Sequence, residues 1–331
     1  MSRIANPTAV ALAGAANAAG YAPSIHNTQP WHWRVRPDRL LLFADRSRQL
    51  AATDPDGMLL VLSCGAALQH ARLALLAEGW TTEVRYLPDP AQPDLLAEIV
   101  AADRSEPTAQ AMRMVQAMRV RHTDRRPLSE QALSPDTTAA LLGAASGLAR
   151  LHVLTADQVL ELAAAAHRAA EIEADDPQIR AELAYWTSRS GLDGTGLPHD
   201  VLPAHPPQTT VPGRDFGAPG TLPIGPGHDR QARYALLYGD DDEPDSWLRA
   251  GAALTAVWLT AVGLGVSVVP LSGVVEVAAT RETLREMLAG VGRPYLVLRL
   301  GITDRAHAGP PHTPRLPADQ TVDLSAVDGD S

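Results

Sequence analysis

Ala22-Pro-Ser-Ile-His-Asn-Thr-Gln-Pro-Trp31 has the makings of a turn that holds something flat. Pro23 and Pro30 fix the backbone at either side, and Ser24 and Asn27 set short polar side chains between them. Such a loop can present backbone and side-chain hydrogen bonds to a planar polar heterocycle. Far downstream, Arg121-His-Thr-Asp-Arg-Arg126 gathers guanidinium groups around a hydroxyl. On its own that cluster reads more readily as a solvated helix end, with arginines near the C-terminal dipole. Thr123 between arginine forks favours a phosphate environment instead.

Composition narrows the chemistry. With 28 basic and 38 acidic residues the chain carries a formal charge of −10, which argues against sequence-independent binding to nucleic acid or an anionic membrane. Every basic residue is arginine, so Schiff-base chemistry, covalent attachment of pyridoxal phosphate and a phosphate-loop lysine are excluded. The lone Cys64 cannot form an internal disulfide, suits a reducing cytoplasm, and reads as a buried mid-helix thiol. The histidines show no metal-ligand spacing: His199 and His205 fall in a loop, His307 and His312 in a proline-rich tail. No metal site is expected.

Two segments imitate membrane signals. Residues 9–19 are alanine-rich, but Asn6-Pro7 marks them as a capped helix rather than a leader. Residues 250–275 carry no charge, yet Gly263, Gly265 and Pro270 divide them into a core helix followed by a strand. A cytoplasmic protein without a membrane span is expected.

A weak internal repeat runs through the chain. Gly65-Ala-Ala-Leu68 recurs as Gly251-Ala-Ala-Leu254, and at the same offset Leu73 matches Leu259 and Gly79 matches Gly265. Each copy predicts a long helix ending at glycine, then a short strand: 80–87 in the first, 266–270 in the second. Asp54-Pro55 is expected to cap the first helix and Asp245 the second, and Ser134-Pro135 to open another that stops near Gly147. Further strands are predicted at 31–36, 40–44, 151–154, 234–238 and 294–301. Helices outnumber short, irregularly placed strands, so the class is α+β. Residues 187–232, rich in Gly, Pro and Thr, read as a lid or insertion, and 306–331 as an extended tail able to wrap the body.

A ring cradle and a phosphate clamp together suggest FMN. The cradle Pro23-Ser-Ile-His-Asn27 with Gln29-Pro-Trp31, the clamp Arg121-His-Thr-Asp-Arg125 and the helix end Gly263-Leu-Gly265 resemble motifs of the FMN-dependent nitroreductases. The combination looks most like the Acg-type, internally duplicated, nitroreductase-like proteins of actinobacteria. The resemblance implies a nitroreductase-like fold in which two similar fused halves, 1–118 and 119–331, form a single-chain pseudo-dimer. Members ordinarily place flavin between two subunits, the cradle from one and the clamp from the other. Here one composite site survives, implying one FMN per chain and a monomer.

Carried over by position, the resemblance assigns Pro23, Ser24, Ile25 and Asn27 to the isoalloxazine and ribityl. It assigns Arg121, Thr123, Arg125 and Arg315 to the phosphate end, and Leu271, Ser272 and Gly273 to the reactive edge. The Gly273 backbone would face N5 and Arg125 would support the reduced ring, with no protein acid or base required. The implied activity is ping-pong transfer of hydride from NAD(P)H to a nitroaromatic or quinone. The alternative is a lidded protein that sequesters FMN and oxidises NAD(P)H poorly. Ser272 stands where many relatives carry an acid, and Thr313 where a base is common.

Overall fold

The computed structural model describes residues 6–225, 227–303 and 309–328; Pro226, Ala306 and His307 lie outside them. The chain opens with α1 (Pro7–Ala19), capped as its sequence foretells: the Asn6 side chain accepts from the Thr8 N–H and Pro7 occupies the first turn. After the cradle come β1 (Trp31–Val35) and β2 (Arg39–Ala44), then the long helix α2 (Met58–Ala77), β3 (Trp80–Tyr86) and β4 (Leu95–Arg104). Next, α3 (Ala109–Val120) leads to the arginine cluster. The second run begins with α4 (Pro135–Ala145) and β5 (Arg150–Val153), continues through α5 (Ala156–Asp175) and α6 (Pro177–Thr187), and reaches β6 (Arg233–Gly239). It closes with α7 (Pro244–Gly263), β7 (Val266–Leu271), the single turn α8 (Gly273–Glu276), α9 (Ala278–Met287) and β8 (Arg293–Ile302). A two-residue strand β9 (Val322–Asp323) and the turn α10 (Ser325–Asp328) follow.

The strands form two sheets of matching order, β3-β4-β2-β1 and β7-β8-β6-β5, every one of these pairings antiparallel. Each sheet packs on its own long helix, and α2 and α7 pack against each other at the centre. Helix α2 is apolar around its whole circumference, with sixteen of its twenty residues buried, as befits a helix covered on every side. It is long and apolar enough to cross a membrane by length and composition, but 83% of that stretch is buried within the protein. Residues 250–275 likewise resolve into the buried α7 and then β7. Both central helices end at a glycine with positive φ, Gly79 at 79° and Gly265 at 70°.

Four features differ from expectation. Asp245 is not the cap of α7: Glu243 holds that position, while Asp245 sits inside the first turn and pairs with Arg249 at 2.7 Å. Asp54 does order the start of α2, but from ahead of the cap, its carboxylate accepting from the Leu59 and Leu60 N–H groups at 3.0 and 2.8 Å. The segment between β5 and β6 is larger than its proline-rich part, since α5 and α6 belong to it. β4 was invisible as a strand because its first half is buried on both faces rather than alternating, with Glu98 there neutralised by Arg39 and Arg85. The tail returns to the first sheet, where β9 adds a parallel strand beside β1.

Candidate active site

The cradle is a strained turn. His26, Asn27 and Gln29 all have positive φ, at 43°, 57° and 51°, a conformation that non-glycine residues hold only where their surroundings enforce it. The Ser24 hydroxyl accepts from the Gln29 N–H at 2.9 Å, closing the turn on itself. Its outer side docks on α2, where the Ser63 hydroxyl accepts from the Ile25 N–H at 3.1 Å. Gln29 then ties three segments together. Its amide donates to the Gly194 carbonyl at 2.7 Å and accepts from the Leu316 N–H at 3.0 Å, while its own carbonyl takes Arg48.

Against this turn lies a cavity of about 520 Å³, within the range of ligand sites. All eleven residues singled out from the sequence line it: Pro23, Ser24, Ile25 and Asn27 from the cradle; Arg121, Thr123 and Arg125 from the cluster; Leu271, Ser272 and Gly273 after β7; and Arg315 from the tail. Cradle and cluster therefore share one crevice. They also touch, since Arg121 and Arg315 both donate to the Tyr21 carbonyl, at 3.4 and 3.5 Å. Asn27 contributes mainly as a strut. Its amide donates to the Gly196 and Pro314 carbonyls at 3.1 and 2.9 Å, and its oxygen accepts from Arg315 at 3.0 Å.

The electrostatics of the clamp are one-sided. Arg121, Arg125 and Arg315 converge on the cavity, and among the described residues none forms an ion pair with a carboxylate. Burial, with Arg315 alongside, pulls Arg121 down to about 9; burial and Arg299 pull Arg125 down to about 10; burial pulls Arg315 down to about 10. All three stay charged at neutral pH. Arg121 rests its guanidinium 4.5 Å from the centre of the Trp258 ring on α7, a cation–π contact that fixes the group without neutralising it. Arg299 contrasts with them: it pairs with the buried Asp229 at 2.8 Å and donates to the Asp124 and Arg126 carbonyls, setting the backbone that presents the cluster.

The proline-rich segment folds over the cavity and meets the clamp, since Arg125 donates to the Val201 carbonyl at 3.4 Å and lies 5.4 Å from the Phe216 ring centre. Leu202 to Pro219 contribute to its wall, and a small cluster of Leu197, Val201, Leu202 and Phe216 gives the segment a core of its own. Arg214 pins it down. The guanidinium pairs with Glu173 of α5 at 2.6 Å and with Glu276 of α8, and its Nη1 lies 3.2 Å from His26 Nε2 in the cradle. Burial works against the Arg214 charge, but Glu276 and Glu173 overcome it and hold its pKa above the ordinary value. Burial outweighs Arg214 at Glu173 and raises that carboxyl. The group sits over Gly273, where a Cβ would come 3.0 Å from Glu173 Oε1.

His26, Ser63, Glu173, Arg214, Phe216, Trp258, Glu276 and Arg299 were not anticipated as site residues. His26 alone lay inside the decisive motif. Arg214 and Phe216 lie in the segment read as a lid, and the others come from elements whose approach to the cavity no local spacing announces.

Comparisons with known proteins identify the family. The Nitroreductase family model matches residues 78–302. A Mycobacterium tuberculosis protein named "Putative NAD(P)H nitroreductase Rv3131" is 36% identical over 91% of this chain and 88% of its own length. Another from the same species, bearing the same designation with the name acg, is 33% identical over 93% of both chains. Among solved structures, the FMN-dependent nitroreductase NfnB of Mycobacterium smegmatis in complex with NADPH is a distant likeness, 15% identical with a TM-score of 0.40, covering 65% of this chain and 99% of that one. By sequence over most of its length, this chain belongs to the nitroreductase family.

Proposed function

We propose that the cavity binds one FMN and that the protein is an NAD(P)H-dependent flavin oxidoreductase. The observation carrying this is the set of three cavity-facing guanidiniums without a carboxylate partner, which leaves a concentrated positive charge that a phosphate would complete. Arg121, Arg125, Arg315 and the Thr123 hydroxyl would hold the phosphate. Pro23, Ser24, Ile25 and Asn27 would bracket the ring together with Leu271, Ser272 and Gly273, the Gly273 backbone lying toward its reactive edge. When bound, FMN supplies a two-electron carrier that takes hydride from NAD(P)H and returns it to a nitroaromatic or quinone in a ping-pong cycle. The protein's own part is binding, orientation and exclusion of water.

The two sheets of equal order support a single-chain pseudo-dimer with halves 1–118 and 119–331, the tail strand β9 crossing back from the second half to the first sheet. A monomer with one flavin per chain is the expected form, measurable by light scattering and flavin absorbance.

A second reading rests on Arg214. A pinned lid over the reactive edge favours a protein that stores FMN and oxidises NAD(P)H slowly. Anaerobic titration of the FMN-loaded protein separates the two. Bleaching by NADPH within ordinary turnover times supports the oxidoreductase, whereas bleaching by dithionite but not NADPH supports storage. A protein that takes up no flavin refutes both.

A further inference from the structure

His26 is buried within the cradle, lines the cavity and is held at φ 43°. Its Nε2 lies 3.2 Å from Arg214 Nη1, and a guanidinium has only donors. Nε2 must therefore be the acceptor, which puts the ring proton on Nδ1. Arg214 cannot swing away to change this, because two carboxylates hold it in place. Burial, with the nearby Arg214 and Arg125 charges, keeps the imidazole neutral. Phe216 from the lid stands edge-on to the ring, 6.1 Å between centroids, and limits its rotation. Among the described residues Nδ1 has no protein acceptor. Arg214 also lies 3.9 Å from where a Cβ on Gly273 would sit, so His26 and Gly273 flank the same part of the cavity.

We propose that His26 is a hydrogen-bond donor to the oxidising substrate, its Nδ1–H aimed into the cavity beside Gly273 and its tautomer set by Arg214 as a positioning residue. The role in turnover rests on the flavin reading above; the tautomer does not. The fitting substrate is a neutral planar molecule bearing a carbonyl or nitro oxygen. When a quinone accepts hydride, one of its oxygens becomes an oxyanion. His26 would stabilise that oxygen and keep its own proton, while solvent supplies the proton that completes the hydroquinone.

Long-range ¹H–¹⁵N spectra of the protein at pH 7, with His26 assigned by its loss in His26→Asn, should show a neutral Nδ1–H ring. An Nε2–H ring or an imidazolium overturns the proposal. In the FMN-loaded protein reduced by dithionite, reoxidation by benzoquinone should slow on the order of tenfold or more in His26→Phe with flavin affinity kept. His26→Asn, which tolerates the left-handed backbone and retains an N–H donor, should recover most of the rate. Equal reoxidation rates for the phenylalanine variant and the wild type overturn the substrate role. If the protein takes no FMN yet shows the Nδ1–H ring, the tautomer assignment stands while the flavin reading and the substrate role fall.

Discussion

Gly65 of α2 and Gly251 of α7 face each other where the two central helices cross, and their contacts are reciprocal. A Cβ on Gly65 would collide with the carbonyl of Leu248, and a Cβ on Gly251 would collide with the carbonyl of Leu62. The same offset relates Gly65 to Gly251 and Leu62 to Leu248, so the crossing has the form of a two-fold contact within one chain.

Gly65→Ala and Gly251→Ala should each destabilise the fold by about 3 kcal/mol, because backbone rather than a flexible side chain must give way. The two variants should cost nearly the same, since each disturbs its counterpart's contact. Urea unfolding at equilibrium measures both, and a loss no larger than that of a surface substitution would contradict the close crossing.

The clamp should be stabler without one of its charges when no anion is present. Arg121→Met is expected to leave the flavin-free protein at least as resistant to heat as the wild type, while weakening FMN binding about tenfold to a hundredfold, the worth of one charge-assisted hydrogen bond. The converse is a rise in the wild-type melting temperature with FMN that the variant mostly lacks. A variant that binds FMN as tightly as the wild type would misplace the phosphate.

Arg214→Met strands Glu173 and Glu276 beside an apolar side chain, and should loosen the lid by about 3–5 kcal/mol. The expected signs are rapid proteolysis between residues 202 and 219 and faster bleaching of bound flavin by NADPH. Adding Glu173→Gln and Glu276→Gln should restore much of the stability by removing the stranded charges. A lid equally resistant to protease in Arg214→Met would show that the pin is dispensable.

Asp54 makes stability depend on pH. Burial raises its carboxyl to about 7 despite two backbone N–H donors, with Glu276 and Asp56 adding to the rise, whereas in the unfolded chain it titrates at its ordinary lower value. Between those two values the folded state holds the extra proton, so this group's contribution to stability falls as pH rises through the window and is level above it. From pH 4 to pH 8 the wild type should lose roughly 4 kcal/mol relative to Asp54→Asn, read from urea unfolding at each pH. Parallel profiles would show that Asp54 ionises normally in the fold.

Much of this was legible locally. The Asn6 cap, the Ser134 cap, the glycine ends of α2 and α7 and the hairpin of β1 and β2 follow from residues a few positions apart. The cradle was legible for the same reason: prolines and short polar residues dictate a turn wherever they occur. β4 escaped because a doubly buried strand lacks alternation, and the extent of the lid segment escaped because α5 is ordinary amphipathic helix until it is seen to deliver Glu173.

The chain by itself settled its arginine-only basic set, its long apolar helices, its repeated Gly-Ala-Ala-Leu and the cradle motif, because these depend on residue type and short-range geometry. Only the tertiary structure decided that Arg315 meets Asn27, and that Arg214 meets His26 across nearly two hundred residues. It likewise decided that three arginines would share a cavity while their neighbours Arg126 and Arg299 found acidic partners. Charge and hydrogen-bond partnership depend on which surfaces close on one another, and no spacing along the chain encodes that closure.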